Sequence, residues 1–304
     1  MRFTPDVARG DWILPRVRGG GIVVGGLVGG VVPRGFDAYA RVLHPVTAYV
    51  PVVGTDVPPE TLRWSEVAAL SSRRPRAVVH PLVQWSSIAG APSRDVALTD
   101  GRVASAPPDG ALAPDAWSGL ARHLAAHTAE PGLLTAGVWN GYGTLRPGRS
   151  SRAFVAVYDD GTGGPAPTPG ELARLQAEAE AELLASVDPE ITSAADDGPL
   201  LALPGRDYVL LDATTDELVD GSWTRTSGLG WHGGFPGQTP NLLWPADLAW
   251  CVASEIDFDS TLVGGSRGLV DAICADEALE AFPVTEDDDL SLAGDTVNPV
   301  PGGE

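Results

Sequence analysis

The sequence predicts an α+β protein: a mixed, largely antiparallel sheet with several packed helices and long irregular loops. Three observations predict it. Short β-branched runs and amphipathic helical runs alternate, but without the regular strand–helix rhythm of a doubly wound parallel sheet. Two strand-like runs, LLTAGVW at 133–139 and AFVAVYD at 153–159, are separated only by the Gly-rich NGYGTLRPG, the spacing of a hairpin or of neighbouring strands. Residues 214–240 are rich in Gly and have little periodicity, which marks a long loop. A chain of 304 residues buries enough apolar surface to fold without a metal or a disulfide.

The elements follow in order. Residues 22–32 read as extended structure in which Val and Ile pack and Gly permits close backbone approach. ARVLHPV at 40–46 and RAVVHPLV at 76–83 both read as strands ended by proline. Between them, 60–70 forms a short helix after Pro58 and Pro59. A clearer helix covers 114–127, because Trp117, Leu120 and Leu124 recur on one face. The Gly- and Pro-punctuated stretch 159–170 is a linker. It leads into a helix with an N-cap at Thr168, a first-turn Pro169 and a capping-box Glu171. Its stripe of Leu172, Leu175, Ala179, Leu183 and Val187 predicts packing on a core, since the opposite face is acidic rather than basic.

A strand at 207–213, a strand at 249–257, a turn through Gly264 and Gly265, and a helix begun by Ser266 complete the ordered part. Four units result. Residues 1–158 form an N-terminal α+β part, and 159–199 a linker plus amphipathic helix insertion. Residues 200–284 form a C-terminal part on the same core, and 285–304 an acidic, partly disordered tail.

Every one of the 20 basic residues is Arg, against 40 acids, and the net charge is -20. Such a surface repels phosphates and anionic head groups, so nucleic acid and membrane surfaces are excluded as expected partners; the charge reads as solubility through self-repulsion or, alternatively, as an acidic face that docks a basic protein partner. The two cysteines, Cys251 and Cys274, fit buried thiols in a reducing compartment better than a disulfide framework, and the N-terminus has no apolar signal core. A cytoplasmic location is the expectation.

Several motifs carry chemistry on paper. Asp257, Asp259 and Thr261 match the first motif of the haloacid dehalogenase superfamily, in which one Asp attacks phosphorus and the second serves as acid and base beside magnesium. Gly294, Asp295 and Asn298 resemble its distal metal motif, with Pro299 where the last Asp belongs. The match is incomplete in two further ways: too little chain follows Asp257, and a lysine-free chain has no charge-stabilising Lys. Gly264, Ser266 and Gly268 fit a nucleophile elbow, yet no histidine follows His232 to serve as base. As an N-cap beside Arg267, Ser266 could start an anion-binding helix. His123 and His127, four apart, are weak candidates for a metal pair, with His44, His80 or His232 as a third ligand. Trp223, Arg225, Trp231, His232 and Phe235 gather interface-type side chains in the long loop.

PRGFDAYARVLHP, HPLVQW, VWNGYG and PNLLWPADLAWCVASEIDFDSTLVGGS resemble a set of hypothetical proteins encoded in actinobacterial genomes. The resemblance covers most of the chain apart from the 159–200 insertion and the tail, and implies no activity or catalytic residue. The expectation from the residues is a protein that binds another protein, without enzymatic activity or cofactor, through the 222–244 loop and the Asp257–Ser266 turn. The alternative is a magnesium-dependent phosphohydrolase using Asp257 and Asp259.

Overall fold

The computed structural model describes residues 1–17, 26–51, 57–71, 77–90, 94–146, 168–230 and 238–298. The α+β expectation holds: a nine-stranded and a four-stranded sheet, with every strand pair among the described residues antiparallel.

The strands are β1 (Arg2–Phe3), β2 (Ala38–Leu43), β3 (Val46–Tyr49), β4 (Glu60–Leu62), β5 (Val96–Ala97), β6 (Val103–Ala104), β7 (Leu134–Trp139), β8 (Leu201–Leu203), β9 (Arg206–Ala213), β10 (Leu242–Pro245), β11 (Cys251–Ala253), β12 (Ser260–Gly265) and β13 (Ala281–Val284). The helices are α1 (Val28–Val31), α2 (Trp64–Leu70), α3 (Trp85–Ala89), α4 (Pro114–Ala126), α5 (Pro169–Ser186), α6 (Pro189–Asp197), α7 (Thr215–Val219), α8 (Trp223–Thr226) and α9 (Arg267–Ala275). The large sheet runs β1-β9-β7-β10-β11-β12-β2-β13, with β8 paired to β9; the small one runs β4-β3-β6-β5.

Both faces of the large sheet are apolar, which is why its strands lack strict alternation of apolar and polar residues. Ala136, Leu211, Leu243, Val252, Val263 and Ala40 point to the first face, where Trp117, Leu120 and Leu124 of α4 and Leu269 and Ile273 of α9 cover them. Leu210, Leu242, Ala253 and Leu262 point to the second face. There Ile13, Val28, Val32 and Leu290 cover them from segments with little regular structure. A third core around Trp64, Trp85 and Ile88 joins α2 and α3 to the small sheet. At roughly 1.5–3 kcal/mol for each fully buried large apolar side chain, these three cores dominate the stabilisation.

Several segments differ from the sequence reading, each for a local reason. Residues 28–31 form one helical turn rather than extended chain. The 77–83 stretch is irregular, because the Pro81 and Val83 carbonyls turn aside to accept hydrogen bonds from Arg41. The 60–70 segment divides into strand β4 and helix α2. Residues 214–226 contain two short helices, α7 with its own capping box of Thr214 and Glu217. Helix α5 has the capping box its sequence predicts, but of its stripe only Leu183 and, at the C-cap, Val187 are buried, and Leu172 is exposed. Gly264 and Gly265 end strand β12 rather than forming a turn. The segment after Thr285, read as a solvated tail, packs instead: Leu290, Asp295 and Asn298 are buried. The 153–159 run lies outside the described residues.

Candidate functional site

The turn between β11 and β12 carries the two aspartates of the phosphotransfer motif, and the structure commits them to different partners. Asp257 is largely exposed and its Oδ2 accepts from Arg206 at 3.1 Å. Asp259 is mostly enclosed, with Oδ1 3.3 Å from Nη2 of the fully buried Arg41. Burial raises the Asp259 pKa against the pull of Arg41, and the charge of Asp109 adds to the rise. Asp295 is saturated. Its two oxygens accept from Ser87 Oγ (2.7 Å), His80 Nε2 (2.8 Å), the Gln84 amide (3.2 Å) and both nitrogens of Asn298. Burial would raise its pKa, but bonds from Ser87, Asn298 and His80 outweigh that and hold it far below the usual carboxylate range. The three carboxylates thus pair with different donors: Asp257 with Arg206, Asp259 with Arg41, and Asp295 with Ser87, His80, Gln84 and Asn298.

Around Arg41 runs a buried polar network that ties the three cores together. Its guanidinium donates to Ser260 Oγ, to the Pro81 and Val83 carbonyls and to Asp259. Next to it, His44 meets the Pro108 carbonyl through Nδ1 at 2.7 Å and Thr261 Oγ1 through Nε2 at 2.9 Å. Since a carbonyl only accepts, Nδ1 bears the proton. Nε2 then accepts from Thr261, whose hydroxyl oxygen in turn accepts from Ser254 at 2.7 Å. Complete burial lowers the His44 pKa to about 4, the Pro108 bond opposing and the Arg41 charge assisting. The Ser87–Asp295–His80 line has the carboxylate in the middle. A serine-hydrolase triad needs the imidazole there, so Ser87 donates to an acceptor that cannot serve as its base.

The remaining sequence candidates are also accounted for. Ser266 caps α9 by accepting from the Leu269 amide at 3.3 Å, and Arg267 donates to the Asp37 carbonyl. Gly264, two residues before Ser266, exists for packing: a Cβ there would lie 2.5 Å from the Phe36 ring. His123 pairs with Asp276 at 2.7 Å, while His127 turns back onto the His123 carbonyl, so the two imidazoles face different partners. Among the described residues no group of three or more His, Cys, Asp or Glu is placed to hold a metal ion. Trp223 corrects the interface expectation, because it is 3% exposed and packs in the first core. Arg225 is exposed. Trp231, His232 and Phe235 lie outside the described residues.

A site that motif reading missed lies on the second face of the large sheet, at the β1 edge. The register places Arg2 opposite Asp212, Asp212 opposite Thr135 and Thr135 opposite Trp244, one side chain from each of β1, β9, β7 and β10. One step further along the same face the positions are Leu210, Gly137 and Leu242, which are covered core. A cleft of about 1070 Å³ adjoins the Arg2–Trp244 row; Arg2 and Asp212 are exposed there, while Thr135 and Trp244 are still buried, at 5% and 1% exposure. Trp12, Leu133 and Leu248 supply apolar wall; Arg9 and Glu217 supply charge. Arg9 Nη1 donates to Asp212 at 2.6 Å and its Nε to Asp6 at 3.3 Å. Glu217 accepts from the Met1 amine at 2.9 Å and the Thr214 amide at 3.0 Å. Trp12 is wedged edge-on between Phe36 and Trp244, at 6.4 and 6.2 Å. On the rim, Leu248 adopts φ 55°, a left-handed conformation that costs a branched-chain residue on the order of 1–3 kcal/mol.

Comparison with protein-family models, curated proteins and solved structures returns no match. The reading of this site therefore rests on its geometry. The sequence did hold one signal for it. In DYVLLDA and LTAGVW, Asp212 and Thr135 are polar residues on strand faces that are otherwise apolar. No helix among the described residues is long and apolar enough to cross a membrane.

Proposed function

We propose that the protein is a binding protein, and that its ligand is a small organic molecule held in the cleft over the Arg2–Asp212–Thr135–Trp244 row. The observation that carries this reading is the interruption of an otherwise covered sheet face by a concave site of drug-like size, whose lining mixes aromatic and aliphatic wall with a few fixed charges. The left-handed Leu248 on its rim supports it, since backbone strain gathers where shape is functional. The lining supplies contact area and oriented charge, which are the means of recognition. An intracellular setting accords with this, supported by two free thiols whose pKa values burial raises, that of Cys274 to about 11.

The test is a thermal-shift series with the fluorescent probe 1-anilinonaphthalene-8-sulfonate and a panel of small organic acids, amides and amines. Parent protein is compared with Ala246→Trp, which places bulk on an exposed rim position, and with Thr135→Trp, which fills the floor. The expected result is stabilisation of the parent by panel members that is lost in both variants. Equal stabilisation of parent and Ala246→Trp by every hit would overturn the reading.

A further inference from the structure

Resting on that reading of the cleft, we propose that the ligand is an aromatic carboxylate, with its acid group on Arg2 and its ring toward Trp12 and Leu248, at the Trp244 end of the row. The argument begins with the row itself. Neighbouring strands lie ~4.8 Å apart, so the four side chains from Arg2 to Trp244 span roughly 14 Å, the length of a two-ring acid. Polarity changes along that line, from a guanidinium at the sheet edge, through Asp212 and Thr135, to an indole at the inner end. A ligand matched to it is charged at one end and flat and apolar at the other.

Charge accounting selects the sign. Within the cleft Arg9 is taken up by Asp212 and Asp6, and Glu217 by the Met1 amine and the Thr214 amide. The Arg2 side chain makes no hydrogen bond or ion pair among the described residues, in a chain with 40 carboxylates for 20 arginines. Where acids outnumber bases so heavily, a guanidinium left open in a cleft is free for an incoming anion, and its planar fork matches a carboxylate. The flanking Asp212 and Glu217 oppose a dianion such as a phosphate monoester, so one negative charge fits better than two. The apolar end has a rigid receptor, because Trp12 is fixed by Phe36 and Trp244 and offers wall area without losing side-chain freedom.

The test uses 2-naphthoate and 2-naphthamide, which share a body and differ in charge, titrated by ligand-observed NMR into parent, Arg2→Gln and Ala246→Trp. The expected result is at least tenfold tighter binding of naphthoate than naphthamide by the parent. Arg2→Gln should remove that preference and leave naphthamide binding unchanged, and Ala246→Trp should weaken both. Equal binding of the two probes by the parent, or an acid preference that survives in Arg2→Gln, overturns the carboxylate assignment while leaving the cleft as a binding site. Absence of naphthoate binding to the parent also overturns it. Probe binding that Ala246→Trp does not affect overturns the cleft reading itself.

Discussion

Asp259 holds its Oδ1 3.3 Å from Nη2 of Arg41, and Arg41 is 1% exposed. An enclosed cation with one carboxylate partner is costly to strand. Asp259→Ala is expected to destabilise the protein by about 3–5 kcal/mol, because it leaves Arg41 buried without its counter-charge. Asp257→Ala removes only an exposed partner of Arg206 and should change stability by less than about 1 kcal/mol. Urea unfolding of both variants measures the contrast, and equal losses would show that the Arg41 environment is misjudged.

His44 makes stability pH-dependent. Buried and neutral, with a pKa of about 4, it resists a proton that the unfolded chain accepts near its ordinary 6.5. Its stabilising contribution is therefore complete above pH 6.5 and is lost as pH falls through the window from 6.5 to 4, by on the order of 3 kcal/mol. His44→Asn keeps a donor for the Pro108 carbonyl and removes the titration. Unfolding free energies at pH 7 and pH 4.5 should fall further in the parent than in the variant. Parallel profiles would count against this assignment.

Trp223 was read as a surface anchor and lies in the first core. Trp223→Ala is expected to cost about 3–5 kcal/mol of stability through cavity formation. Calorimetric unfolding checks it; a change near zero would contradict its burial.

Asp295 fastens the 285–298 segment to α3 through Ser87 and to the 77–84 stretch through His80 and Gln84. Asp295→Ala should cost at least about 2 kcal/mol by leaving buried donors without an acceptor. It should also speed hydrogen exchange at the Leu290 amide, which bonds to the Gly26 carbonyl. Unchanged exchange at Leu290 would mean that apolar contacts alone dock this segment.

The sequence made some elements legible and hid others for physical reasons. Helices α5 and α9 could be read because Thr168 with Glu171, and Ser266, cap their starts with local hydrogen bonds, and α4 because Trp117, Leu120 and Leu124 recur on one face. Strand β13 was hidden because Pro283 breaks its pattern; on an edge strand the missing donor costs little. Strands β5 and β6 are two residues long, shorter than one full alternation of faces. Strand β12 was mistaken for a turn because its glycines resemble a motif, while their purpose is to admit Phe36 and Leu269. The cleft was least legible, since only strand register brings Arg2, Asp212, Thr135 and Trp244 together.

The position of β2 carries one last consequence. It sits between β12 and β13, so Ala38–Leu43 hydrogen-bonds on both sides to strands from beyond residue 259. During synthesis this apolar ribbon leaves the ribosome long before either neighbour does. Its backbone edges and its inward-facing Arg41 stay without these partners until nearly the whole chain has emerged, and unpaired edges of that kind invite mispairing.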